Sequence, residues 1–193
     1  MKRLFLLASI FIFIIGVIEA CEQARSTDIK IKVSAIIDNW KTRAEASAAI
    51  HDIGQDALDC IGIIAIDEHE THIRRWRSIM LLGTAPSKQS IPFLGQIATT
   101  SKAIYRCLAL QALAESGSKH AIPILISQLD NCESCMIVTS TDPMQEDAIL
   151  VSDEAVRALE TITGKSFEPN VTFGVHRATG PWKKWWKERS HKP

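Results

Sequence analysis

The stretch that decides the fold is Ser87-Lys88-Gln89-Ser90-Ile91-Pro92-Phe93-Leu94, which returns as Ser118-Lys119-His120-Ala121-Ile122-Pro123-Ile124-Leu125. Five of the eight positions are identical at an offset of 31 residues, from 87 to 118, which is hard to attribute to chance. A fixed period of this order is typical of arrays in which each unit covers the next. Pro92 and Pro123 are predicted near the start of a helix, where a missing N–H costs least.

Apolar periodicity completes each unit as two helices joined by a short turn. The predicted helices run over 73–82 and 90–99 in the first unit, and over 102–114 and 120–129 in the second. Apolar residues recur at i, i+3, i+4 and i+7, so each helix has one apolar face. Because both helices of a unit need cover, each unit requires a neighbour.

Weaker copies extend the array on both sides. Residues 46–53 and 57–64 repeat the two-helix pattern, and residues 155–162 repeat a first helix after an insertion within 131–151. A stripe of apolar residues over 28–40 predicts an opening helix that caps the stack. The predicted fold is all-α: a short α-solenoid of about three to four helical hairpins, with a small irregular or β-hairpin insertion and a Trp-rich C-terminal capping segment.

This pattern resembles the HEAT-like repeats of the shorter bacterial type over about residues 42–164. The resemblance rests on alternating helices with Ala-Leu pairs, a Gly-bearing turn and the Ile-Pro opening of the second helix. It implies a repeat domain over 28–164 and a helical surface that binds another protein, and such folds serve many different partners.

The first 20 residues are predicted to be a signal peptide. Lys2 and Arg3 precede the apolar run 4–18, whose length suits a signal better than the ~20 residues that span a bilayer. Ala20-Cys21 resembles the bacterial lipobox, in which the cysteine receives a lipid, although Glu19 departs from that pattern. We therefore predict an exported, membrane-anchored lipoprotein of the cell envelope with lipid on Cys21 and a tether over 21–27. The alternative is ordinary cleavage to a soluble periplasmic or secreted form.

The cysteines of the repeat domain fall into two classes. Cys60 and Cys107 lie in helical apolar runs and are interpreted as buried free thiols. Cys132 and Cys135 open the insertion, where an oxidising compartment favours a local disulfide. Unpaired thiols, a redox pair or a metal site are the alternatives. Residues 136–139 and 148–151 are predicted to pair as a hairpin.

Two charged segments lie at the start of the first strong repeat, one just before its first helix and one within it. Residues 67–72 concentrate carboxylates and histidines and are interpreted as a solvated turn, with metal binding as the alternative. Residues 72–77 contain three arginines and a tryptophan, a basic patch that could contact phosphate. The same pattern is ordinary on the exterior of a helix. Because the formal net charge of the chain is zero, nucleic acid is not an expected partner.

The C-terminal tail, residues 165–193, carries Trp182, Trp185 and Trp186 on one helical face. We interpret the three tryptophans as a cap on the last repeat, because the end of a solenoid needs cover. This ending also resembles the closing segment of other exported bacterial HEAT-like proteins. The alternative is an interfacial helix that places tryptophan and lysine at an anionic membrane surface.

The sequence therefore favours a protein-binding scaffold or adaptor in the bacterial cell envelope. Its expected partners are another protein and, through the N-terminal lipid, a membrane. No phosphate-binding loop or nucleophile motif is present in the sequence, so neither enzymatic activity nor a cofactor is expected. The alternatives are a thiol–disulfide or metal-dependent activity at Cys132 and Cys135, or membrane-surface binding through the tail.

Overall fold

A computed structural model describes residues 22–84, 88–135, 149–167 and 177–190. The helices within these ranges are α1 over 22–38, α2 Arg43–Ile53, α3 Gln55–Ile66, α4 His72–Thr84, α5 Ser90–Thr100, α6 Ala103–Glu115, α7 Ile122–Ser127, α8 Val151–Thr163 and α9 Gly180–Ser190. A single 3-10 turn, Lys119–Ala121, leads into α7. The described ranges contain no strand, only an isolated antiparallel bridge between Ser134 and Leu150. The predicted all-α class is confirmed.

The helices stack in two rows. Helices α4, α6 and α8 pack side by side in one row, α3, α5 and α7 form the other, and α3 and α5 also pack closely on α4 and α6. Each predicted helix of the two strong repeats is present within about two residues of its predicted ends. This is the arrangement of a short α-solenoid, as the repeat predicted.

Helices of one row run in the same direction. His72 and Tyr105, near the beginnings of α4 and α6, lie 3.0 Å apart from Nδ1 to the hydroxyl, and Gly83 meets Ala112 near the ends of the same helices. The turns between helices therefore collect on two edges of the stack. The first, which we call the insertion edge, carries the turns 39–42, 67–71, 101–102 and 128–135 with 149–150. The second, the glycine edge, carries the turns at 54, 88–89, 116–121 and 164–167.

Glycine shapes the second edge. Gly54, Gly117 and Gly164 have φ values of 93°, 62° and 66°, in the region that side chains with a Cβ rarely adopt. Gly54 and Gly164 directly follow the ends of α2 and α8, and Gly117 lies two residues after the end of α6. A left-handed glycine at this point satisfies the last helical carbonyls and reverses the chain. A glycine with positive φ thus reverses the chain at three of the four described turns of this edge, the exception being the turn at 88–89.

Helix α1 closes one end of the stack. Ile29, Val33 and Ile37 are buried, so the predicted opening helix is present. The helix is already formed at residue 22, whereas a tether was predicted over 21–27. Its first turns are held by an ion pair of 3.0 Å between Arg25 and Asp56 of α3. Cys21 itself lies outside the described residues.

The tail closes the other end. Trp182 is 1% exposed and stands edge-to-face on Phe167, with ring centroids 4.8 Å apart. Trp185 and Trp186 are half-buried and pack against the same core. The segment is fixed by ion pairs of Arg177 with Glu160 and of Lys183 with Asp130. The predicted capping segment is confirmed, and among the described helices none is long and apolar enough to cross a membrane.

Candidate functional site

The most distinctive surface lies at the insertion edge, where the insertion leaves the stack. A groove of about 620 Å³ opens there between the ends of α5 and α7 and the first turns of α6. The residues that line it are polar or charged apart from the cysteine: Thr99, Arg106, Ser127, Gln128, Asp130, Asn131, Cys132 and Glu133. We call it the insertion groove.

The base of the insertion is an antiparallel pair of short extended segments. Cys135 N donates to Ile149 O at 2.8 Å, and Val151 N donates to Glu133 O at 2.9 Å. The pairing thus lies at 133–135 with 149–151. The predicted hairpin strand 136–139 lies outside the described residues.

A disulfide secures this base to the stack, and it differs from the predicted one. Cys135 is bonded to Cys107 of α6, with Cα atoms 5.8 Å apart, whereas Cys132 is free and exposed. The prediction of a Cys132–Cys135 bond and that of a free Cys107 were both wrong. The reason is backbone conformation: three extended residues span roughly 10 Å, beyond the roughly 7 Å that a disulfide tolerates between Cα atoms.

The two free thiols have different surroundings. The Cys60 thiol is half-buried, and burial raises its pKa above the ordinary value, so it stays protonated at neutral pH. Cys132 lies on the groove surface, with its Sγ 3.7 Å from the carbonyl oxygen of Asp130. Cys132 and Cys135 therefore do not form the dithiol pair on which the predicted redox alternative depends.

Ion pairs border the groove. Arg106 contacts Glu133 at 3.3 Å, and its Nε donates to Ser101 O at 2.6 Å. Asp130, on the other side, pairs with Lys183 of α9. The groove therefore offers amide, hydroxyl and thiol groups between partly neutralised charges, which suits hydrogen bonding to a polar surface.

The carboxylates and histidines of 67–72 do not converge on a metal site. Glu70 pairs with Arg74 at 3.0 Å, Asp67 accepts a bond from the backbone N–H of His69, and His72 contacts Tyr105. Within the described ranges, no group of three or more ligating side chains is placed to hold a metal ion. These residues order the turn before α4.

The arginine segment has a structural role that sequence reasoning missed. Arg75 is only 4% exposed, lies 3.9 Å above the Tyr105 ring, and donates from Nε to Ala65 O in the last turn of α3. Arg106, its counterpart 31 residues later, donates in the same way to Ser101 at the end of α5. The repeat places an arginine on the last carbonyls of the preceding helix, a favourable pairing with the negative helix end. The 31-residue spacing of the two arginines was the available signal.

A second groove, of about 860 Å³, lies at the glycine edge between α2 and the ends of α4 and α6. Arg43 spans it, binding the carboxylate of Glu115 and donating to Met80 O at 3.1 Å. Ser47 and Thr84 join its walls by a hydrogen bond of 3.1 Å between hydroxyls. The exposed lining of this groove is more apolar than that of the insertion groove.

Comparison with known proteins agrees with the geometry of the stack. A family model described as the PBS lyase HEAT-like repeat matches residues 105–131, which comprise α6, the 3-10 turn and α7. The hairpin of α6 and α7 is similar to a HEAT-like repeat. The match covers a single hairpin and so identifies the type of repeat rather than an activity. No curated protein matches the chain.

Proposed function

We propose that this HEAT-like repeat protein is a non-enzymatic protein-binding scaffold or adaptor of the bacterial cell envelope. Residues 1–20 direct its export and Cys21 carries the lipid. The observation that carries the proposal is the disulfide between Cys107 and Cys135, which fixes an insertion to an otherwise regular stack beside an open polar groove.

The disulfide supports export. Disulfides persist in oxidising compartments such as the periplasm and are rare in the cytosol. The bond joins residues 28 positions apart and connects two separate elements, so it stabilises the tertiary arrangement of the insertion. In the cytosol, glutathione and thioredoxin would keep the two thiols reduced.

The groove supports binding rather than catalysis. None of its described lining residues is a histidine, so neither the Cys132 thiol nor the hydroxyls of Ser127 and Thr99 have beside them the imidazole that most often serves as the base. A loop held rigidly on a scaffold is a common way to present a binding surface. The insertion and the groove together provide such a surface for another protein.

The membrane-surface alternative has less support from the structure. Trp182 is buried in the core, and Trp185 and Trp186 are half-buried against it. An interfacial helix needs its apolar face free to enter lipid. The apolar face of α9 is already used by the stack.

The proposal is tested by photo-cross-linking in the native envelope. A photoreactive residue in place of exposed Ser127, on the groove, should give a discrete cross-linked protein, whereas the same residue at exposed Gln111 of α6 should not. Labelling with a fatty acid, lost in Cys21→Ala, checks the anchor. Identical cross-linking from both positions, or none from Ser127, would count against a scaffold that acts through the groove.

A further inference from the structure

The direction of α1 fixes where the predicted lipid must lie. Arg25, near the beginning of α1, pairs with Asp56 at the beginning of α3, at the glycine edge. Asp38, at the end of α1, pairs with Arg74 at 3.0 Å, at the insertion edge. Helix α1 therefore runs from the glycine edge to the insertion edge, and its first residues follow Cys21 directly.

No flexible segment separates this helix from Cys21 in the described chain, which is helical from residue 22. Three apolar side chains of α1 are buried in the stack, and Arg77 Nη1 donates to Ile37 O at 2.6 Å. A lipid on Cys21 thus sets the position of the whole stack and not only of a tether. The glycine edge would lie next to the bilayer surface.

Charge is distributed between the two edges in a matching way. The described turns of the glycine edge carry Lys88, Lys119 and Lys165 and no carboxylate. The described turns of the insertion edge carry two lysines, Lys41 and Lys102, and five carboxylates, namely Asp67, Glu68, Glu70, Asp130 and Glu133. We call the three exposed lysines the lysine row.

Helix stability explains only one lysine of the row, Lys165, which follows the end of α8, where a positive charge is favourable beside the helix dipole. Lys88 and Lys119 lie just before α5 and at the 3-10 turn before α7, where a positive charge is unfavourable beside the helix dipole. None of the three pairs with a carboxylate within the described part of the chain. At the same edge, Asp56 and Glu115 are neutralised by Arg25 and Arg43, although Asp52 of α2 is not. The basic character is therefore strongest from α5 to α8.

We propose that the glycine edge binds anionic phospholipid headgroups through the lysine row, so that the protein stands on this edge. The inference rests on the proposed lipid anchor, with which the row shares an edge. The helices of the two rows have up to 13 residues, which separates the insertion edge from the membrane by roughly 20 Å. The insertion groove then faces away from the bilayer and meets a partner outside the headgroup layer.

The first experiment measures vesicle binding without the lipid. The chain from residue 21 with Cys21→Ser keeps every described residue and should bind vesicles containing phosphatidylglycerol but not pure phosphatidylcholine. Each lysine near an anionic surface contributes about fivefold in affinity. The combined Lys88→Gln, Lys119→Gln and Lys165→Gln variant should therefore bind at least roughly tenfold more weakly.

A matched control separates the row from net charge. The combined Lys102→Gln, Lys184→Gln and Lys187→Gln variant loses the same charge at the insertion edge and on α9, and should keep its vesicle affinity. Equal weakening in both variants, or none in either, overturns the proposal. Circular dichroism of each variant checks that the helices remain.

The second experiment measures orientation in the full-length chain. A photoreactive residue in place of exposed His120, on the glycine edge, should form phospholipid adducts, and one in place of exposed Glu68, on the insertion edge, should not. Equal lipid adducts at both positions, or adducts from His120 to an acidic protein instead of lipid, overturn the proposal. If the native protein is found to carry no lipid on Cys21 while vesicle binding still depends on the lysine row, the proposed anchor is contradicted and this inference is supported.

Discussion

At the scale of single residues, bonds between distant parts of the chain hold the insertion and the repeats in place. Cys135, Cys107 and Arg75 are the clearest cases, since each has its partner on a different element. Local spacing favoured Cys132 for Cys135 because the two are close in sequence. The extended backbone between them removes that option, and the beginning of α6 supplies the other thiol.

Replacing each insertion cysteine by serine distinguishes the two pairings. Cys135→Ser should lower the free energy of unfolding by roughly 3 to 4 kcal/mol, because the bond to Cys107 closes a loop of 28 residues. Cys132→Ser should leave stability nearly unchanged. Urea unfolding without reductant measures both. Alkylation of the unfolded, non-reduced Cys21→Ser chain should label Cys60 and Cys132 only, and a labelled Cys107 would contradict the observed bond.

At the scale of elements, the sequence predicts which segments are helices. The distance between neighbouring helices depends on small residues at their contacts. Gly83 of α4 faces Ala112 of α6, and a Cβ added at Gly83 would stand 2.9 Å from the Cα of Ala112. Such a position tolerates no side chain unless a backbone moves. The two neighbouring repeats can therefore pack closely only because this residue is glycine.

The substitution Gly83→Val should destabilise the stack by roughly 1 to 3 kcal/mol, because the added methyl groups overpack the contact of α4 with α6. Thermal unfolding measures the change. Gly180→Ala is the matched control, since a Cβ at Gly180 meets nothing within 4 Å. If the Gly83 variant is as stable as the Gly180 variant, α4 and α6 can move apart to accept the side chain without a cost in stability.

At the scale of the whole molecule, the stack is a linear array with two closed ends. In such arrays each unit contacts chiefly its neighbours, so stability depends on the interfaces between units and on the caps. Here α1 closes one end with apolar residues and arginine bonds, and α9 closes the other with Trp182. The two ends thus limit fraying of the repeats between them.

Weakening the C-terminal cap should destabilise first the helices that lie next to it. Trp182→Ala should cost roughly 3 to 5 kcal/mol, because the side chain is fully buried in the core. Hydrogen exchange should accelerate most in α7 and α8 and least in α3. Trp186→Ala, at a half-buried position, should have a smaller effect. Uniform acceleration along the stack would mean that it unfolds as one unit instead.

The sequence by itself determined the helices, their order and the period of the array, because apolar periodicity, glycine turns and the Ile-Pro openings are local signals. The beginning of the insertion and the capping role of Trp182 followed from the same pattern. Only the tertiary structure decided which residues meet across elements: Cys107 with Cys135, Arg75 with the end of α3, and Arg25 with Asp56. Such pairs depend on the relative direction and spacing of whole helices, which no local window of sequence contains. For the same reason the separation of charge between the two edges appears only once the turns are gathered by the stack.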